Sequence, residues 1–224
     1  MSNYQESCQL RMDEIAAVLS LAGRKSVVGF QTEDMRDLTP DKVWNGCCRL
    51  LRDEMMTQID GKFRLCRELV DVMQPICQAG TVLALTPASD LLPQMLYYAA
   101  DRITAMERTS YGRYVLTPMG PEDLFRDLQE RMQIEYTEEP PSDEAELEID
   151  VLQSDSREKL LVSAEFVLEA VDGRTGARKN WLRLVRRGMD QWLQWTWEGA
   201  LCCEALTAQL LQQRLQLLLR GETA

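Results

Sequence analysis

The sequence predicts an α+β protein: a mostly antiparallel central sheet with helices packed on it, built as two pseudo-symmetric halves. Three observations carry this. Over the first ~80 residues apolar side chains recur at helical spacing. From residue 81 onward, short runs bounded by Pro, Asp and Gly read as strands. After residue 159 the order strands-then-helix returns, as a similarity of layout without a residue-level repeat. The halves are expected at 1–134 and 159–224, with an acidic linker or insert at 135–158 between them.

The elements follow in order. Met12, Ile15, Val18, Leu19 and Leu21 predict a helix over 10–21 that stops at Gly23. In "LTPDKVWNGCCRLLRDEMM", Thr39 suits an N-cap, Pro40 the first helical position, and Leu38 can staple onto Val43. "FRLCRELVDVMQPICQAG" is a third amphipathic helix, with Pro75 kinking or ending it and Gly80 terminating it. "TVLALT", "QMLYYA", "ITAMER" and "RYVLT" are strands, with Gly112 in the turn before the last. "MGPEDLFRDLQERM" is a helix in which Pro121 opens the first turn and Glu122 and Asp123 favour the positive end of the dipole.

Pro140-Pro141 among dense acids marks the linker, within which Leu147, Ile149 and Val151 alternate like an edge strand. In "KLLVSAEFVLEAV", Leu160, Val162, Ala164, Phe166 and Leu168 are expected on one face of a strand. "DGRTGARKN" is a turn, two strands follow, and "CEALTAQLLQQRLQLLLRG" is a closing helix ending at Gly221.

Composition narrows the function. The 224 residues are 45% hydrophobic and 27% charged, an ordinary globular balance with ample material for a core. The N-terminus has no basic start followed by an apolar run, so no signal peptide is expected. The uncharged stretch from Val72 to Ser89 is interrupted by Pro75, Gly80 and Pro87 and does not suit a membrane span. Seven cysteines without zinc spacing, two pairs of them adjacent, read as reduced core residues, which points to the cytoplasm. The chain has no histidine. That removes Ser-His-Asp and Cys-His catalysis and every histidine metal site. From Glu135 to Glu158 there are ten acids against one base, so most of the net charge of -11 is local to that segment. The balance disfavours nucleic acid, which needs a basic surface.

Four of the five tryptophans lie between Trp181 and Trp197. A two-residue turn at Gly188-Met189 would make partner numbers sum to 377. Leu182, Leu184, Leu193, Trp195 and Trp197 then share a core face. Trp181, Arg183, Val185 and Trp192 share the other, which is too apolar for ordinary solvent contact. These four are the candidate partner-binding residues, with Tyr97 on the 94–99 strand as the second candidate surface. The bases Arg174, Arg178, Lys179, Arg183, Arg186 and Arg187 gather near the same ribbon, and the acidic segment 135–158 is expected to fold back against them. "GRTGARK" lacks the phosphate-loop spacing and reads as a hairpin loop. No catalytic or metal-ligating set and no cofactor motif emerges, and none is expected.

Helices, then "LALTPASDLLPQMLYYAADRITAMERTSYGRYVLTPMGPEDLFRDL", then a second strand group and a closing helix, form a layout that resembles the EspG family of type VII (ESX) secretion chaperones. More narrowly it is similar to EspG-like proteins of Gram-positive gut bacteria. The short "DR" turn and "GRYVLTPM" running into a capped helix carry the resemblance. It implies a mixed fold of pseudo-twofold halves around one sheet, and a cytosolic, non-catalytic chaperone that keeps helical secretion substrates soluble. The expected partner is therefore an amphipathic helical protein, with no nucleic acid and no membrane insertion. A homodimeric scaffold and a small-molecule enzyme using carboxylates stand as alternatives.

Overall fold

At the start of the chain, burial alternates. Cys8 and Leu10 are buried, Gln9 and Arg11 are exposed, and Cys8–Arg11 is a strand, β1. The helix expected over 10–21 therefore begins later, as α1 (Met12–Leu21). Four residues are too few for a period of two to stand out from the helical pattern beside it. The computed structural model describes residues 7–24, 27–30, 32–87, 93–131, 164–187, 190–197 and 200–221. The segment 135–158, including the alternation at Leu147–Val151, lies outside the described residues, as do Gly188 and Met189.

After α1 come α2 (Thr32–Arg36) and α3 (Pro40–Arg52). The Thr39 hydroxyl accepts the Lys42 N–H at 3.3 Å, and Pro40 opens the first turn, as its fixed φ allows. The sequence extends this helix to Met56, but the structure ends it at Arg52. A hairpin follows instead, β2 (Met56–Ile59) and β3 (Lys62–Leu65). Asp60 and Gly61 take φ of 52° and 74° between the paired Ile59 and Lys62, the left-handed pair of a type I′ turn. The third helix shortens correspondingly to α4 (Arg67–Gln78), whose N-terminal Leu69 N–H is accepted by Cys66 Sγ. α4 runs through Pro75 rather than ending there. It forgoes one backbone bond, while Leu69, Val72, Met73 and Ile76 on its inner face are buried.

The strands β4 (Thr81–Pro87), β5 (Gln94–Ala99), β6 (Arg102–Arg108) and β7 (Arg113–Met119) follow the predicted runs. Then come α5 (Pro121–Arg131), β8 (Ala164–Asp172), β9 (Arg178–Arg187), β10 (Asp190–Trp197), β11 (Ala200–Ala205) and α6 (Ala208–Arg220). The sequence pattern starts the closing helix at Cys203. Cys202 to Ala205 pair with β10 instead, and α6 starts after Thr207, whose hydroxyl caps Leu210 N–H at 3.1 Å. It ends on Gly221 with φ of 66°, as the terminal glycine suggests.

The molecule is α+β, with six helices among the described residues and a large nine-stranded sheet; each strand pairing described below is antiparallel. The chain divides into two compact units. One contains β1–β3, β5–β7 and α1–α4, with sheet strands in the order β1-β7-β6-β5. In it α4 packs on β6, β7 and β1, and the Thr104 hydroxyl of β6 donates to the Val72 carbonyl at 2.8 Å. α1 and α3 meet closely at Gly46, where a Cβ would lie 2.2 Å from the Asp13 carbonyl oxygen. The other unit contains β4, β8–β11, α5 and α6, with strands in the order β4-β8-β9-β10-β11. There α6 packs on β4 and β9.

One strand-face expectation is corrected. A bulge between Ala164 and Phe166 pairs them with Val185 and Leu184, which lie on opposite faces. Ala164 therefore does not share the face of Phe166 and Leu168; the extra residue reverses the alternation.

Candidate partner-binding surfaces

The tryptophan ribbon takes the register expected of a two-residue turn. Trp192 pairs with Val185, Leu193 with Leu184, Gln194 with Arg183 and Trp195 with Leu182. Leu182, Leu184, Leu193 and Trp195 are buried, as the core face requires. Trp197 is in β10, and its side chain lies outside the described residues.

The opposite face is more enclosed than its composition alone suggests. Trp181, Arg183 and Val185 are buried, and Trp192 is partly buried. Trp181 packs with Ala164 and Val167, and Leu201 packs against that cluster. Arg183 Nε donates to Gln194 Oε1 at 2.6 Å, and Gln194 Nε2 to Cys203 Sγ at 3.6 Å. A polar row therefore crosses three strands. Burial lowers the Arg183 pKa from its usual value, against a small opposing effect of Cys203. The nearby bases have carboxylate partners on β8: Arg178 meets Glu169 at 3.4 Å, Lys179 meets Asp172 at 3.2 Å, and Arg186 pairs with Glu165. The "GRTGARK" stretch is the β8–β9 hairpin loop, closed by Gly176 N–H on the Asp172 carbonyl.

Tyr97, the fifth sequence candidate, is fully buried in the other unit. Its hydroxyl donates to the Val28 carbonyl at 2.7 Å and lies 3.8 Å from Met106 Sδ. Desolvation pushes the phenol far above its ordinary pKa, and Tyr114 adds to this. Gly29 sits directly against it: a Cβ there would be 2.6 Å from the hydroxyl. Tyr97 thus ties the 27–30 segment to the sheet. Tyr98 bonds Asp101 at 2.7 Å and Arg102 bonds Asp71 at 2.9 Å, holding the β5–β6 turn. Among the five sequence candidates, only Trp192 keeps partial exposure.

The same unit carries a cleft of about 1030 Å³ that the sequence did not indicate. Its walls come from the end of β1, the start of α1, the α2–α3 connection and the β6–β7 turn. Arg11, Lys42 and Arg113 line it together with Asp13, Asp34 and Asp37. Two of these acids have guanidinium partners on other elements. Asp34 takes Arg108 Nε at 2.9 Å and Nη2 at 3.1 Å, and also accepts the Tyr114 hydroxyl. Asp13 pairs with Arg49, which also reaches Glu14 at 3.1 Å. Burial pushes the Asp34 carboxyl up, but the bonds from Arg108 and Tyr114 outweigh it and hold the pKa below its ordinary value. Phe30 meets the Tyr114 ring edge-on with centroids 5.3 Å apart.

At the rim, Tyr111 is 92% exposed on a turn that Gly112 closes with φ of 70°. The turn signal "TSYGR" does mark Tyr111 as a tip residue. Nothing local marks Arg11 as its neighbour, because β1 and β7 are far apart in the chain. Trp44 on α3 is the other large exposed aromatic among the described residues, at 58%. Among the described residues no group of three or more Cys, Asp and Glu side chains is placed to hold a metal ion. No helix among them is long and apolar enough to cross a membrane.

The fold is similar to that of a solved secretion chaperone. The match is the type VII secretion system chaperone EspG5 of Mycobacterium tuberculosis, in a structure with a PE25–PPE41 dimer. It covers 97% of this chain and 97% of that one, with a TM-score of 0.56 and 9% sequence identity. The likeness is one of fold. No protein-family profile and no curated protein matches the sequence.

Proposed function

We propose that the chain is a non-catalytic, protein-binding chaperone or adaptor that holds a helical partner, of the kind handled by type VII secretion. The observation that carries this reading is the fold likeness to the EspG5 chaperone across nearly the whole of both chains. That neighbour is bound to a protein dimer in its structure. The lack of histidine throughout the chain is in keeping with binding rather than acid–base chemistry near neutral pH. Among the described side chains of the β9–β10 ribbon, Trp192 is the aromatic one that keeps apolar area to offer.

The test is reconstitution. A protein that co-purifies with the chain from its native cells is identified, purified separately and remixed. Light scattering should then give the mass of a defined heteromeric complex, and circular dichroism should show a helical partner. Trp192→Ala should weaken that complex at least about fivefold, the scale of a ~1 kcal/mol interface contact. A chain that forms only homodimers, or whose complex dissociates on turnover of a small molecule, would remove the chaperone reading.

A further inference from the structure

We infer that the cleft beside Arg11 and Arg113 is a docking site for an acidic segment of a partner polypeptide. This deepens the binding reading above and rests on it. The decisive geometry is a like-charged pair. Arg11 on β1 and Arg113 on β7 are direct cross-strand partners. Both are exposed and both line the cleft. Residues so paired hold their Cβ atoms about 4.5–5.5 Å apart, and like charges there repel. Lys42 adds a third cation from α3. Among the described residues neither guanidinium nor the Lys42 ammonium forms an ion pair, although Asp13 and Asp34 share the same walls, and Glu14 Oε2 takes the Arg11 backbone N–H at 2.7 Å.

Those two acids are engaged elsewhere, Asp13 by Arg49 and Asp34 by Arg108, which leaves Asp37 as the remaining acid of the lining. An anionic occupant would relieve the Arg11–Arg113 repulsion that the fold leaves in place. Three further features point to a polypeptide. At about 1030 Å³ the cleft is at the upper limit of a small-ligand pocket. It is bordered by β1, which pairs only with β7 among the described residues. Its rim presents Tyr111, an exposed aromatic anchor for an apolar side chain next to the carboxylates. Nucleic acid fits less well, since three cations make no track along a backbone.

The experiment uses the full chain and a fluorescein-labelled peptide of Gly-Glu-Leu repeats, followed by fluorescence anisotropy. The same peptide with Gln for Glu, and a single-stranded DNA oligonucleotide, serve as comparisons. The Glu peptide should bind at least tenfold more tightly than either, and raising salt from about 50 to about 300 mM should weaken it several-fold. Arg113→Glu should weaken binding at least tenfold while leaving the thermal midpoint unchanged or raised, because Arg11 then faces an opposite charge. Lys42→Glu should also weaken binding and lies outside the strand pair, so it tests the cleft independently of β1–β7 stability. Equal binding of the two peptides, tighter binding of the oligonucleotide, or unaltered affinity in both variants overturns the inference. A reconstituted partner that binds wild type and Arg113→Glu alike overturns the cleft and leaves the chaperone reading standing. Failure of the wild-type chain to hold any partner overturns that reading instead.

Discussion

The Arg214 guanidinium lies over the Trp195 ring, 3.9 Å from its centroid. It joins α6 to the core face of β10. Trp195 Nε1 and Arg214 Nε are both buried without a hydrogen-bond partner among the described residues, so stacking is the polar contact made there. The Arg214–Glu204 pair, at 3.9 Å with Glu204 mostly exposed, adds little. Arg214→Ala should destabilise the protein by about 1–2 kcal/mol, and Arg214→Lys by less. Denaturant unfolding of the three proteins measures this; equal stability of Arg214→Ala and wild type would show the stacking to be idle.

A glycine sets the α1–α3 distance. At Gly46 an added Cβ would meet the Asp13 carbonyl oxygen at 2.2 Å, a backbone atom that cannot move alone. Gly46→Ala should cost about 1–3 kcal/mol despite alanine's better helix propensity. Gly80→Ala, where nothing lies within 4 Å, should fall within about 0.5 kcal/mol of wild type. Thermal midpoints of the two variants decide it.

The β5–β6 turn contains a strained residue. Ala100 and Asp101 have φ of 50° and 59° between the paired Ala99 and Arg102. Aspartate tolerates the left-handed region, but alanine pays a steric cost of about 1–2 kcal/mol there. Ala100→Gly should therefore raise stability, by about 0.5–1 kcal/mol once glycine's greater unfolded-state freedom is subtracted. A lower midpoint in this variant would contradict the type I′ geometry.

Asp34 links stability to acid. Its folded-state pKa lies below the ordinary value because Arg108 and Tyr114 bond the charged form, against desolvation. A depressed carboxyl contributes stability that is present above its unfolded pKa and lost as pH falls through the folded one. Wild type should therefore lose stability below about pH 4. Asp34→Asn should start lower at pH 7 and lose less across that acid range. Parallel losses in the two proteins, from urea midpoints at pH 7 and pH 3, would assign the acid sensitivity elsewhere.

The cysteines should differ sharply in reactivity. Burial, with Cys66 and Glu14 beside it, pushes the Cys8 thiol up to about 11. Desolvation also raises the pKa of Cys47, while its neighbour Cys48 is exposed. Iodoacetamide at about pH 8 should label Cys48 first in the native protein and leave Cys8 unmodified until unfolding. Peptide mapping by mass spectrometry reads the order directly.

Much of this molecule is written locally. Turn chemistry and a period of two place β5, β6, β7 and the β9–β10 register within a residue or two, and Thr39-Pro40 and Gly221 mark helix ends where the structure has them. The Asp60-Gly61 dipeptide was an available hairpin signal, masked by helical patterns on both sides. Other features depend on partners distant in the chain. Cys8–Arg11 is a strand because β7 lies beside it, and Cys202–Ala205 extend the sheet because β10 offers them a ladder. The same holds for surface exposure. Composition identifies Trp181, Val185 and Trp192 as an apolar face, yet burying two of the three depends on what packs there, including Ala164, brought to that face by a bulge. The Arg11–Arg113 cleft is wholly a tertiary product, since repulsion between two charges appears only when distant strands become neighbours.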